Sequence, residues 1–331
     1  MQRALALIAL LSSSLVVQRE LQDPVREDEG PGYPYRILPV DIISGHLMEG
    51  EFREPGGVFF DPTERELYVS DMKNGLIGIF NDSGIPLYAF GGGEQLVEPT
   101  VVVARPNGTI YVLDNDRTEI KAFDYRGGPL DPIRFVEEGG EPLRIEAFVI
   151  DADGRWIVAD SASQRVFVFD AERKREFVLP REDDVGSFES IAGVAVSAEG
   201  RIAVIDRRAT PVQVFDRRGY FVSGFGRRDI GMENFTSPRA VAFDEDEYIF
   251  VVDMLRHDVK IFNLQGEFQG LFGGWFGPET RGRAPGEMLY PTSISIEPGG
   301  RVFVAERFGN RVQAFERESR APLFIDSVKS E

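Results

Sequence analysis

At 331 residues, with 42% hydrophobic, 11% aromatic and 28% charged residues, the chain has enough apolar material for a large core and is not a disordered polymer. Its 55 Asp and Glu against 37 Lys and Arg leave a formal net charge of -18, which repels a phosphate backbone and excludes nucleic acid as an expected partner. The absence of cysteine excludes disulfides, thiol catalysis, thiolate metal sites and an acylated lipoprotein cysteine.

The chain begins with Arg3 ahead of an apolar run, ALALIALLSSSLVV, at 4–17. That run is shorter than the roughly 20 residues a bilayer-spanning helix needs, but it suits the core of a signal peptide. No Ala-x-Ala closes it, so two readings stand for 1–17: a cleaved signal peptide, or an uncleaved N-terminal anchor. Export to the periplasm or the extracellular space is expected under both, and membrane association only under the second. Residues 18–32 are acidic and contain Pro and Gly, as a flexible linker does, which leaves 33–331 for one folded domain.

Within that domain one pattern recurs six times: an apolar strand, a turn, and a second apolar strand ending in an acid. The acids are Asp71, Asp114, Asp160, Asp206, Asp253 and Glu306, separated by 43, 46, 46, 47 and 53 residues. Nine residues beyond each stands a phenylalanine: Phe80, Phe123, Phe169, Phe215, Phe262 and Phe315. The turns RPNG, DADG, SAEG and EPGG carry glycines suited to tight hairpins, and a third and fourth strand follow in each unit. Several strands are continuously apolar, as a sheet buried on both faces requires. These features predict an all-β, six-bladed β-propeller of four-stranded antiparallel blades. Burying each phenylalanine contributes roughly 1.5–3 kcal/mol, so the ladder reads as structure. Two segments are candidates to complete the sixth blade: YRILPVDII near the start, which is preferred, and PLFIDSV at 322–328.

The repeat resembles that of the NHL family, whose pattern is approximated by IDADGRWIVADSASQRVFVFD at 150–170 and by PTSISIEPGGRVFVAERFGNRVQAFE at 291–316. The resemblance spans residues 51–316 and implies the propeller fold; propellers of this type are reused for many tasks, so it implies little about function. The arginine that follows the strand acid by five residues in such repeats survives here only as Arg165 and Arg311. With just two histidines, His46 and His257, at unrelated repeat positions, the chain departs from the propeller lyases that place several histidines around a zinc.

No nucleophile elbow, phosphate loop or metal-binding helix motif is present, and no catalytic residue is assigned. Carboxylates are the remaining chemical resource. Glu54, Glu98, Glu146 and Glu189 each fall at or just before an inner strand, where they are expected near the channel mouth; if they converge, they suit Ca2+ and a metal-dependent hydrolase, lactonase or lyase. The turn bearing Asp151 and Asp153 lacks the rest of a calcium loop and is expected to be a hairpin. The arginines at 207, 208, 217, 218, 227 and 228 form a basic run that reads as a solvated face. The longest irregular stretch, 273–291, holds Trp275, Phe276, Arg281 and Arg283, residue types that anchor interfaces. The preferred reading is an exported, non-enzymatic scaffold that binds a protein or peptide partner through loops on one face and needs no cofactor.

Overall fold

The protein is described by a computed structural model at residues 33–46, 50–137, 139–181, 187–274 and 283–319. The predicted signal or anchor segment at 1–17, the linker at 18–32 and the PLFIDSV segment at 322–328 lie outside the described residues. Six four-stranded antiparallel sheets form the blades of a propeller, and the described residues contain no helix. The inner strands, in blade order, are Pro55–Asp61, Val101–Ala104, Ile145–Ile150, Ile191–Val196, Pro238–Phe243 and Pro291–Ile296.

The ring closes through the first segment. Strand Tyr35–Ile43 runs antiparallel to Arg311–Ser319, in register from Tyr35 opposite Ser319 to Ile43 opposite Val312, with a bulge at Pro39–Asp41. It supplies the fourth strand of blade 6, so the two ends of the repeat array are held by one backbone ladder. Each blade remains a separate sheet whose edges are its inner and outer strands, and closure ties the first and last blades of the array together.

All six ladder phenylalanines are buried, none more than 4% exposed. Each meets an aromatic ring supplied from the preceding blade or from the chain entering its own: Phe52 against Phe80, Phe90 against Phe123, Phe135 against Phe169, Phe188 against Phe215, Phe225 against Phe262 and Phe272 against Phe315. Centroid separations of 4.4–5.9 Å and mostly tilted or edge-on geometry add pairing energy to simple burial. Aromatic pairs therefore recur around the ring; in three of them the second ring, Phe90, Phe225 or Phe272, follows the preceding ladder phenylalanine by ten residues, and in the other three it comes from a connection.

The hairpins form as predicted. In DADG the Asp151 carboxylate accepts from the Arg155 N–H at 2.8 Å, and the Gly154 N–H donates to the Asp151 carbonyl at 3.0 Å. Gly300 sits at φ +96°, and a Cβ there would stand 2.3 Å from Nε of Arg317, so the turn requires glycine.

Candidate binding site at the channel mouth

The strand-ending acids lie on the face where each blade's fourth strand connects to the next inner strand. All six are buried to 1% exposure or less. Each clamps the incoming connection by accepting backbone N–H groups: Asp71 from Arg53, Asp114 from Val97 and Glu98, Asp160 from Arg144, Asp206 from Glu189 and Ser190, Asp253 from Thr236 and Ser237, and Glu306 from Leu289.

A further donor differs from blade to blade. His46 Nε2 lies 3.0 Å from Asp71, Lys121 Nζ 2.8 Å from Asp114, Ser163 Oγ 2.5 Å from Asp160, and Arg311 Nε 2.9 Å from Glu306. Fully buried Lys260 lies 2.5 Å from Asp258 and 3.7 Å from Asp253. Arg311 thus makes the family-type pair, whereas Arg165 is exposed and its acid is served by Ser163. Both histidines are buried and not on the surface. His46 fills the space left by Gly78, where a Cβ would meet its ring at 2.6 Å, and His257 Nδ1 accepts the Tyr290 N–H at 3.0 Å. Burial lowers the His257 pKa, against the pull of Asp258 and Asp253.

The four glutamates singled out in the sequence fall on this face but stand apart from one another. Glu54, at φ +59°, is held by Arg307 at 2.7 Å, and Glu98 pairs with Lys73. The Glu189 side chain is exposed, while its N–H serves Asp206. Among the described residues no group of three or more His, Asp or Glu surrounds a common metal position. As placed, these residues do not fit a carboxylate calcium cage, which needs several oxygens free to converge.

Glu146 is different. It opens the inner strand of blade 3 beside the central channel, and three arginines from three other blades converge on it. Arg117 Nη1 lies 2.6 Å from Oε2, while Arg207 Nη2 and Arg239 Nη1 lie 3.1 and 3.3 Å from Oε1. One carboxylate therefore faces three guanidinium groups, leaving a local surplus of two positive charges in a protein of net charge -18. Burial lowers the pKa of Arg239; Glu146 opposes that shift, and Arg207 and Arg117 reinforce it. Arg207 Nε is buried without a hydrogen-bond partner.

Below the cluster lies a channel of about 270 Å³ with a mixed lining, in which the half-buried apolar side chains of Phe59, Val149 and Val194 alternate with Ser293, Ser295 and Thr100. No sequence signal tied these arginines together. Arg207 belonged to the basic run, but that run disperses: Arg217 pairs with Asp153 at a hairpin on the opposite face.

Large apolar side chains are also exposed on this face. Val97, Val136, Ile230, Met232, Leu255 and Phe308 all stand in its connections or loops, with Ile230 91% exposed. Trp275, Phe276 and Arg281 lie outside the described residues. Arg283 is exposed, and its carbonyl accepts from Arg311 Nη1 at 2.7 Å.

No family model matches the chain. It is 27% identical over 134 residues to the protein brain tumor of Drosophila melanogaster, covering 40% of this chain and 12% of that one. It is also 27% identical over 158 residues to the human E3 ubiquitin-protein ligase NHLRC1, covering 47% of this chain and 38% of that one. The similarity thus spans well under half the length of either relative, and both are NHL-repeat proteins. A streptogramin B lyase structure aligns with 86% of this chain and 98% of its own, at a TM-score of 0.57 and 10% identity, which is a likeness of fold alone.

Proposed function

We propose that this chain, a six-bladed β-propeller of the NHL-repeat type, is an exported, non-enzymatic scaffold that binds a protein or peptide partner through its connection face. The observation that carries the reading is that Val97, Val136, Ile230, Met232, Leu255 and Phe308, all exposed, stand in loops on that face of the ring. Loops on a rigid scaffold are where recognition is usually placed. The NHL-type repeat shared with these relatives supports a protein-binding role. The apolar run at 4–17 supports export. The net charge of -18 favours a protein over a nucleic acid as the partner.

Proximity labelling in the native host provides the test, with the full chain carrying either Ile230→Asp with Phe308→Asp, or Tyr125→Asp on the opposite face. Loss of one labelled protein with the first variant and its retention with the second supports the reading. Identical labelling by both variants and the wild type overturns it.

A further inference from the structure

The Glu146 cluster has more positive charge than the fold needs. On the same face Glu54 with Arg307 and Glu98 with Lys73 each match one carboxylate to one cation. At Glu146 three arginines share two oxygens. Arg239 is held there although burial and its two arginine neighbours both disfavour its charge. The Nε of Arg207 is out of water with nothing to donate to, a state that costs free energy in the empty site and that an added acceptor relieves. Arg239 and Glu146 also line the channel, where Phe59, Val149 and Val194 offer apolar contact beside hydroxyl-bearing Ser293 and Ser295.

We infer that the channel mouth is a carboxylate-binding site: Arg207 and Arg239 take the carboxylate of a ligand whose apolar portion enters the channel between the inner strands. A guanidinium presents a planar fork of donors that matches a carboxylate's two oxygens. Glu146 stays in the cluster and sets the charge. One added monoanion leaves a surplus of one positive charge; a dianion such as phosphate would cancel the surplus, but it makes no use of Phe59, Val149 and Val194 in the channel. The overall charge of -18 does not prevent this, because screening over a Debye length of about 8–10 Å separates a local site from the distant surface. It does disfavour a long polyanion that must lie along that surface. Two sources present this chemistry, a small organic acid and the free C-terminus of a peptide ending in an apolar residue. The inference stands apart from the proposed protein-binding role, since a carboxylate site does not depend on the exposed residues of the connection face.

Titration calorimetry on the folded chain, with hexanoate, a short peptide ending in free leucine, the same peptide amidated, and inorganic phosphate, tests the site. Saturable binding of hexanoate or the free-acid peptide, with none of the amide or phosphate, is expected, and which of the two binds identifies the source. Arg239→Gln weakens that binding about tenfold to a hundredfold, as loss of a charge-assisted hydrogen bond does. Glu146→Gln strengthens it, a direction that a merely structural role does not produce. Thermal midpoints confirm that both variants are folded, and if Arg239→Gln is not, Arg207→Gln replaces it in the same comparison. Absence of binding by both carboxylates, equal binding of the amidated peptide, binding of phosphate alone, or affinity unchanged in the arginine variant overturns the inference.

Discussion

Two sets of carboxylates lie on one face of the propeller, and they differ in how their oxygens are satisfied. The strand-ending acids are sealed at 1% exposure or less and accept backbone N–H groups from the next connection. Glu54, Glu98 and Glu146 stand nearer solvent, with side chains 25%, 38% and 14% exposed, and meet cations from neighbouring blades. In the first set charge and donors are matched and the product is a rigid ring. In the second, at Glu146, they are mismatched, and the mismatch is paid for by the ring's stability. Residue type alone does not separate these roles; the donor set does.

That contrast can be broken most sharply at blade 5. Asp253→Ala leaves the Thr236 and Ser237 N–H groups without their acceptor and takes one of two carboxylates from fully buried Lys260, which keeps Asp258, and is expected to cost about 3–5 kcal/mol in denaturant unfolding. Ile37→Ala, in the closing strand and 7% exposed, is expected to cost about 2–5 kcal/mol by leaving a cavity between blades 5 and 6.

The pH response sharpens the comparison further. Burial lowers the His257 pKa, so the folded state binds its proton less readily than the unfolded state does. Its contribution is therefore complete above the unfolded value near 6.5 and is lost as pH falls below it. Buried Glu306 and Asp258 are raised instead, chiefly by desolvation, so they act with the opposite sign at more acidic pH. The loss of stability between pH 7 and 5 is expected to be shallower in His257→Asn, whose side chain tolerates the positive φ at that position. The smallest effect belongs to Glu98→Gln: the Lys73 pair is more than a third exposed on both sides, and about 0.2–1 kcal/mol is expected.

The blade pattern was legible in sequence because it is local. Acid, nine-residue spacing and ladder phenylalanine recur within each repeat, and even the preferred closing strand, Tyr35–Ile43, was recognisable from its place before an inner strand. Three of the partner aromatics were not, because Phe52, Phe135 and Phe188 sit at irregular offsets in connections of different length. The mouth was half legible. Of the four glutamates expected near it, Glu146 lines the channel, but the charge it meets was not legible, since Arg117, Arg207 and Arg239 come from three blades and share no repeat position. A site made by ring closure has no signature along the chain.

The most direct test of the distinction between the two sets is the unfolding free energy of Arg239→Gln in guanidinium chloride. If the mouth arginines are surplus to the fold, this variant is as stable as the wild type or more so, because it removes a partly desolvated cation while Glu146 keeps Arg117 and Arg207. A loss as large as that of Asp253→Ala, about 3–5 kcal/mol, would show that the cluster is another structural clamp and contradict the account.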